Sequence, residues 1–199
     1  ALAIDEKVYG PGHVNVVLRL NQLSLALRNL KRYDEALEYA ERALAVGEKA
    51  LGPDNIDVAV WVHNLAQAHR LRQRNDLALP LFQRALAIYE KTAGPRNIRL
   101  AGTLNGLSAA QWDLGDRDGA HASLLRAIGI VAATDRPETQ WRVQAALRRS
   151  YQARGEEALS IFWGKQAVNT VQSLRGRLRG LPPDLQRAFL DDKRALYVA

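Results

Sequence analysis

An all-α solenoid, made of helix hairpins stacked side by side, is the fold class that the sequence predicts. The first observation behind it is a period of 42 residues. Ala1-Leu2-Ala3 returns as Ala43-Leu44-Ala45 and Ala85-Leu86-Ala87, Glu6-Lys7 as Glu48-Lys49 and Glu90-Lys91. Gly10-Pro11 returns as Gly52-Pro53 and Gly94-Pro95, and Pro137 keeps the spacing. The second observation is that apolar residues inside each period recur at helical rather than strand spacing. A unit of this length cannot bury its apolar face alone, so neighbours must stack. Stacked hairpins make surfaces more readily than enclosed active sites, which predicts a binding scaffold.

Taken in order, residues 1–9 read as the end of a preceding repeat helix. Residues 10–51, 52–93 and 94–133 are three repeats, each holding two helical patterns. In the first helix of each, Leu20, Leu23, Ser24 and Leu27 share one face, matched by Val62, Leu65, Ala66, His69 and by Leu104, Leu107, Ser108, Gln111. In the second, Ala36, Ala40, Ala43 and Leu44 form the stripe, matched by Ala78, Phe82, Ala85, Leu86 and by Ala120, Leu124, Ala127, Ile128. Small residues at Ser24, Ala66, Ser108 and at Ala36, Ala78, Ala120 let the two helices of a hairpin approach closely. The Gly-Pro pairs stop one helix and turn the chain. Asp34, Asp76 and Asp118 recur at the tight turn of each hairpin, where a carboxylate can cap the second helix.

Residues 134–180 form a shortened fourth repeat with a long second helix. A shift of 124 instead of 126 places Leu147 on Leu23, Tyr151 on Leu27, Ser160 on Ala36 and Gly164 on Ala40. The two missing residues are expected between Pro137 and Gln144, and Arg148 falls where other repeats carry Ser or Ala. Residues 181–199 are expected to form a capping helix, with Leu185, Phe189 and Leu196 on one side.

Composition narrows the function classes. Apolar content of 47% and charged content of 25% are those of a folded soluble domain. No signal-peptide pattern opens the chain and no run of 18 apolar residues occurs, so no membrane partner is expected. There is no cysteine, which excludes disulfides, a thiolate nucleophile and Cys-based zinc. The absence of Met and a start within a repeat predict a segment of something longer. His13, His63, His69 and His121 show no HExxH spacing, and neither a Walker A sequence nor GxGxxG is present. His69 and His121 fall on apolar seats and read as satisfied core histidines. The carboxylates Asp191 and Asp192 read as a solvated face. Catalysis, a metal and a cofactor therefore have no candidate residues.

The net charge of +7 is concentrated in the Arg70–Arg74 stretch and beyond Arg142. Arg175, Arg177 and Arg179 step around a helix by about 200° each, so they do not form one stripe. Nucleic-acid binding is the weaker reading.

The segment RYDEALEYAERALAVGEKALGPDN (Arg32–Asn55) resembles the tetratricopeptide repeat in its 42-residue, kinesin-light-chain-like form, a resemblance that extends over residues 1–133. It implies a right-handed superhelix whose first helices line a concave groove for a peptide or protein partner. The first-helix position usually held by Tyr carries Leu27, His69 and Gln111, and regains it only at Tyr151. Residues Ile161–Leu190 resemble the junction where such repeats precede a caspase-like CHAT protease domain in bacterial proteins. That second resemblance implies an alternative, a regulatory arm of a larger bacterial protease, although this chain has no Cys with which to cleave. A cytoplasmic location is expected under either reading.

In such a superhelix the inner wall has four rows: Leu18, Val60, Gly102, Arg142; Asn21, His63, Asn105, Ala145; Leu25, Gln67, Ala109, Arg149; and Arg28, Arg70, Trp112, Gln152. Asn21 and Asn105 offer a donor and an acceptor each, the pairing that an extended peptide backbone needs. Asn64, beside His63, is expected to supply the rung between them. Arg28 and Arg70 repel one another across an empty groove, so an acidic guest is favoured. Trp112 offers apolar area beside them. The candidate site is therefore Asn21, Leu25, Arg28, His63, Asn64, Gln67, Arg70, Asn105, Trp112 and Arg149.

Overall fold

A computed structural model describes residues 2–177. Within them lie nine helices and no strand: α1 (Leu2–Tyr9), α2 (Val14–Asn29), α3 (Tyr33–Leu51), α4 (Ile56–Leu71), α5 (Asn75–Ala93), α6 (Ile98–Asp113), α7 (Arg117–Val131), α8 (Pro137–Ala153) and α9 (Glu157–Arg177). The expected capping helix at residues 181–199 lies outside the described residues, as does the later part of the Ile161–Leu190 segment.

Four antiparallel hairpins, α2/α3, α4/α5, α6/α7 and α8/α9, stack in chain order, each second helix packing on the next first helix. The first helices α2, α4, α6 and α8 also touch one another, more extensively than do successive second helices. The slab therefore curves with the first helices on its inner wall.

The small residues act as expected. Ser24 is buried and donates its hydroxyl to the carbonyl of Ala36 at 2.7 Å, locking α2 to α3 where both side chains are short. Ala66, Ala78, Ala85 and Phe82 are fully buried between α4 and α5. The hairpin turns place Lys31, Gln73, Gly115 and Gly155 at φ between 60° and 89°, and the two glycines take that left-handed conformation without a side-chain penalty.

Three expectations need correction. The carboxylates of Asp34, Asp76 and Asp118 do not cap the second helices, because they already lie within the first turn. Asp34 instead pairs with Arg72, and Asp118 with Arg154, joining adjacent hairpins. The side-chain caps sit elsewhere: His13, Asn55 and Asn97 accept the backbone N–H two residues on, at the starts of α2, α4 and α6. Asp116 caps α7 through Gly119 N.

The shortening of the fourth repeat is also not between Pro137 and Gln144, which lie in continuous helix α8. It falls at the end of α7, which has 15 residues where α3 and α5 have 19. Pro137 is accordingly the first helical residue of α8, a position that has no need of its missing N–H. Arg148, on its expected small-residue seat, is accommodated because Gly164 faces it: a Cβ there would lie 3.2 Å from Arg148 Cδ. Lastly, His69 is buried but its Nδ1 has no partner, so it is not the satisfied core histidine expected. His121 is hydrogen-bonded, with Nδ1 2.9 Å from Ser150 Oγ, but it is half-buried and so not a core histidine either.

A further periodic feature runs along the second helices. Glu6 pairs with Arg42, Glu48 with Arg84 and Glu90 with Arg126, each pair one period after the last. The recurrence of Arg42, Arg84 and Arg126 at that spacing was the available signal.

Candidate binding groove

The inner wall gathers side chains from α2, α4, α6 and α8, and those proposed from sequence fall into three groups. The first is neutral. Asn64 Nδ2 donates to Asn21 Oδ1 at 2.7 Å, tying α4 to α2. This differs from a free rung at Asn64, yet it leaves the Asn21 amide N–H groups and the Asn64 carbonyl unused by that bond. Asn105 and Leu25 are half-buried on the same wall. Gln67 accepts from Arg70 Nε at 3.2 Å, which steadies the guanidinium.

The second group is cationic. Arg28 and Arg70 are half-buried, and Arg142 and Arg149 are exposed. Burial first, then repulsion from Arg142 and Arg70, lowers the Arg28 pKa. Burial likewise lowers that of Arg70, opposed by Asp113 and assisted by Arg149. These shifts leave the guanidiniums charged at neutral pH. They report that four cations from α2, α4 and α8 feel one another, with Asp113 as the nearby carboxylate.

His63 stands in the middle, its Nδ1 3.1 Å from Thr103 Oγ1 and its ring edge-on to Phe82. Thr103 already donates to the carbonyl of Arg99 at 3.0 Å, so the imidazole is the donor and Nε2 carries the lone pair. Burial, followed by the charges of Arg28 and Arg70, pushes its pKa down to about 4. A cation at this spot would add to the repulsion, so the ring stays neutral.

The third group is apolar. Trp112 lines a pocket of about 300 Å³ between α6, α7 and α8, with Arg70, Arg142 and Arg149 at its edge and Ala109, Ala145 and Ala146 as short walls. Arg117 lies over the Trp112 ring at 3.8 Å and holds it in place. The sequence reading did not single out Arg142 with the arginine cluster or Trp141 beside this pocket. Arg142 was already in register on the inner wall, whereas nothing in the repeat pattern marks Trp141.

A curved stack of helix hairpins with a lined inner wall and no strand among its described residues defines a helical-repeat scaffold. The chain belongs to the tetratricopeptide-repeat family, whose profile matches residues 1–49, 16–91 and 57–133. Among solved structures it is similar to BtubC (BKLC) from P. vanneervenii, at 21% identity and a TM-score of 0.70 over 84% of this chain and 66% of that one. A Podosopora anserina chain of nearly identical TPR-like repeats, of kinesin-light-chain type, gives 20% identity and 0.65, covering 93% of this chain and 96% of that one. MamA AMB-1 gives 27% identity and 0.58, over 87% and 89%. Matching proceeds over about two thirds of the BtubC chain, and the likenesses below 25% identity establish the fold. No curated protein matches significantly. No helix among the described residues is long and apolar enough to cross a membrane.

Proposed function

We propose that this protein is a non-catalytic interaction scaffold that holds an extended acidic peptide segment along α2, α4, α6 and α8. The supporting observation is the convergence of Arg28, Arg70, Arg142 and Arg149 on one wall, where Asp113 is the carboxylate that bears on them. Holding like charges together is unfavourable until an anion arrives. Each charge-assisted hydrogen bond to a carboxylate then contributes about 1.5–3 kcal/mol. The unused N–H groups of Asn21 and carbonyl of Asn64 suit a peptide backbone, and the pocket beside Trp112 suits one apolar guest side chain. Many such contacts on a preformed wall reach micromolar affinity, about −8 kcal/mol.

The test uses degenerate peptide pools rich in Glu or rich in Lys, titrated calorimetrically. The Glu pool should bind, and Arg70→Gln and Arg149→Gln should each weaken it about tenfold. Equal binding of the two pools, or indifference to both substitutions, refutes the proposal. The regulatory arm of a larger protease would use the same groove; it rests on the Ile161–Leu190 resemblance, and the full open reading frame tests it.

A further inference from the structure

Gly102 sits inside α6, just past its first turn, where glycine is less favourable than alanine. Gly47 and Gly106 have a packing reason, since a Cβ would meet Trp61 at 2.0 Å and Phe82 at 2.6 Å. Gly102 has none, because an added Cβ meets nothing within 4 Å. The space it leaves open belongs to a hollow of about 500 Å³ between the first turns of α6 and α8 and the inner face of α4.

That hollow is chemically uneven. Val60 and Ile98 supply apolar wall, while Arg99 comes from α6 and Arg136 and Thr139 from the start of α8. The charge of Arg99 bears on the buried phenol of Tyr89, a neutral neighbour that does not compensate it. No carboxylate among the described residues forms an ion pair with Arg99 or Arg136. His63 and Thr103 close the side nearest the arginine cluster and hydrogen-bond to one another. Asp57 is the carboxylate whose charge reaches Tyr89. Two guanidiniums outside any ion pair with a described carboxylate, together with the Thr139 hydroxyl, offer more donors than a single carboxylate uses. A phosphate monoester, with three terminal oxygens and a charge near −2, matches them better.

We infer that the hollow over Gly102 is an oxyanion site for a phosphoryl group, carried by a phosphorylated side chain of the peptide lying in the groove. The carrier rests on the acidic-peptide reading above; the oxyanion site does not. A guest would then be read at two places, by carboxylates at Arg28, Arg70 and Arg149 and by a phosphate at Arg99 and Arg136. Phosphorylation of the partner becomes a switch that tightens an existing interaction.

Two measurements separate these parts. In the first, ¹⁵N-labelled protein is titrated with inorganic phosphate, ionic strength being held constant with chloride. Saturable amide shifts should appear around residues 98–103 and 136–139. They should vanish in Gly102→Leu and in the double variant Arg99→Gln/Arg136→Gln, and persist in Arg28→Gln/Arg70→Gln. Shifts that never saturate, or that survive Gly102→Leu, overturn the oxyanion site. Gly102→Ala, which fills little of the hollow, serves as the folding control.

In the second, a Glu-rich peptide pool containing phosphoserine is compared with its unphosphorylated counterpart. The phosphorylated pool should bind at least tenfold more tightly, and Arg99→Gln/Arg136→Gln should abolish that preference. Equal affinities overturn the phosphopeptide inference and leave the acidic-peptide reading standing. Failure of both pools to bind overturns the reading and the carrier together, with the phosphate titration still deciding the site.

Discussion

A methyl group added at Gly47 would lie 2.0 Å from the Trp61 indole, and one at Gly106 would lie 2.6 Å from the Phe82 ring. Both rings are buried and rigid, at 2% and 0% exposure, so they cannot swing aside into solvent. Gly47→Ala and Gly106→Ala should therefore each cost about 1–3 kcal/mol by overpacking, despite the helix propensity that alanine gains. Urea denaturation reads this directly, and an unchanged midpoint for both would show that α3/α4 and α5/α6 separate more easily than the packing implies. At His63 the relevant quantity is the proton. Its folded pKa, about 4, is below the unfolded value near 6.5, so the unfolded chain binds the proton first as pH falls. The contribution is intact above about pH 6.5 and is lost progressively towards pH 4, amounting to roughly 1–3 kcal/mol. His69 and His121 are lowered as well, chiefly by burial, and add slope of the same sign. The check is thus the difference between wild type and His63→Gln, whose stability should fall less steeply between pH 7 and 5.

Helix starts show what the sequence could and could not disclose. The stripes of Leu20, Ser24 and Leu27 or Ala78, Phe82 and Ala85 were legible because helical periodicity and burial are the same fact seen twice. The caps were not, since Asp34 lies two residues past the N-cap position, which Arg32 occupies. Asn55 and Asn97 share a register, but His13 in the first repeat disguises it. The structural assignment has a direct consequence. Asn55→Ala and Asn97→Ala should each cost about 0.5–2 kcal/mol through the lost cap. Asp34→Asn should stay within about 0.5 kcal/mol, because its pairing with Arg72 is at the surface. Thermal or urea melts decide between the two assignments, and a larger loss at Asp34 than at Asn97 would reverse them.

Among the described residues, charge is paired along the outside, while on the inside four arginines share Asp113 as the carboxylate that bears on them. The second helices carry the ladder Glu6–Arg42, Glu48–Arg84 and Glu90–Arg126, a solvated lattice that contributes little stability per pair but keeps acids close to bases. On the inner wall, Arg28, Arg70, Arg142 and Arg149 were partly legible from their rows. The repulsion between Arg28 and Arg70 was legible as well, whereas the approach of Arg142 to Arg28 and of Arg149 to Arg70 was not. Binding and stability should then oppose one another in this cluster, as they do where a site holds groups that folding alone would separate. Arg28→Gln removes a half-buried charge facing two others, so at low salt the free protein should melt at a higher temperature. Added chloride should raise the wild-type melting temperature and narrow the gap, since screening weakens the repulsion that the substitution abolishes. The same variant should bind a Glu-rich peptide pool about tenfold more weakly. A variant that melts lower and binds as well as wild type would mean that Arg28 supports the fold through its aliphatic stem, and that the cluster is not held in readiness for an anion.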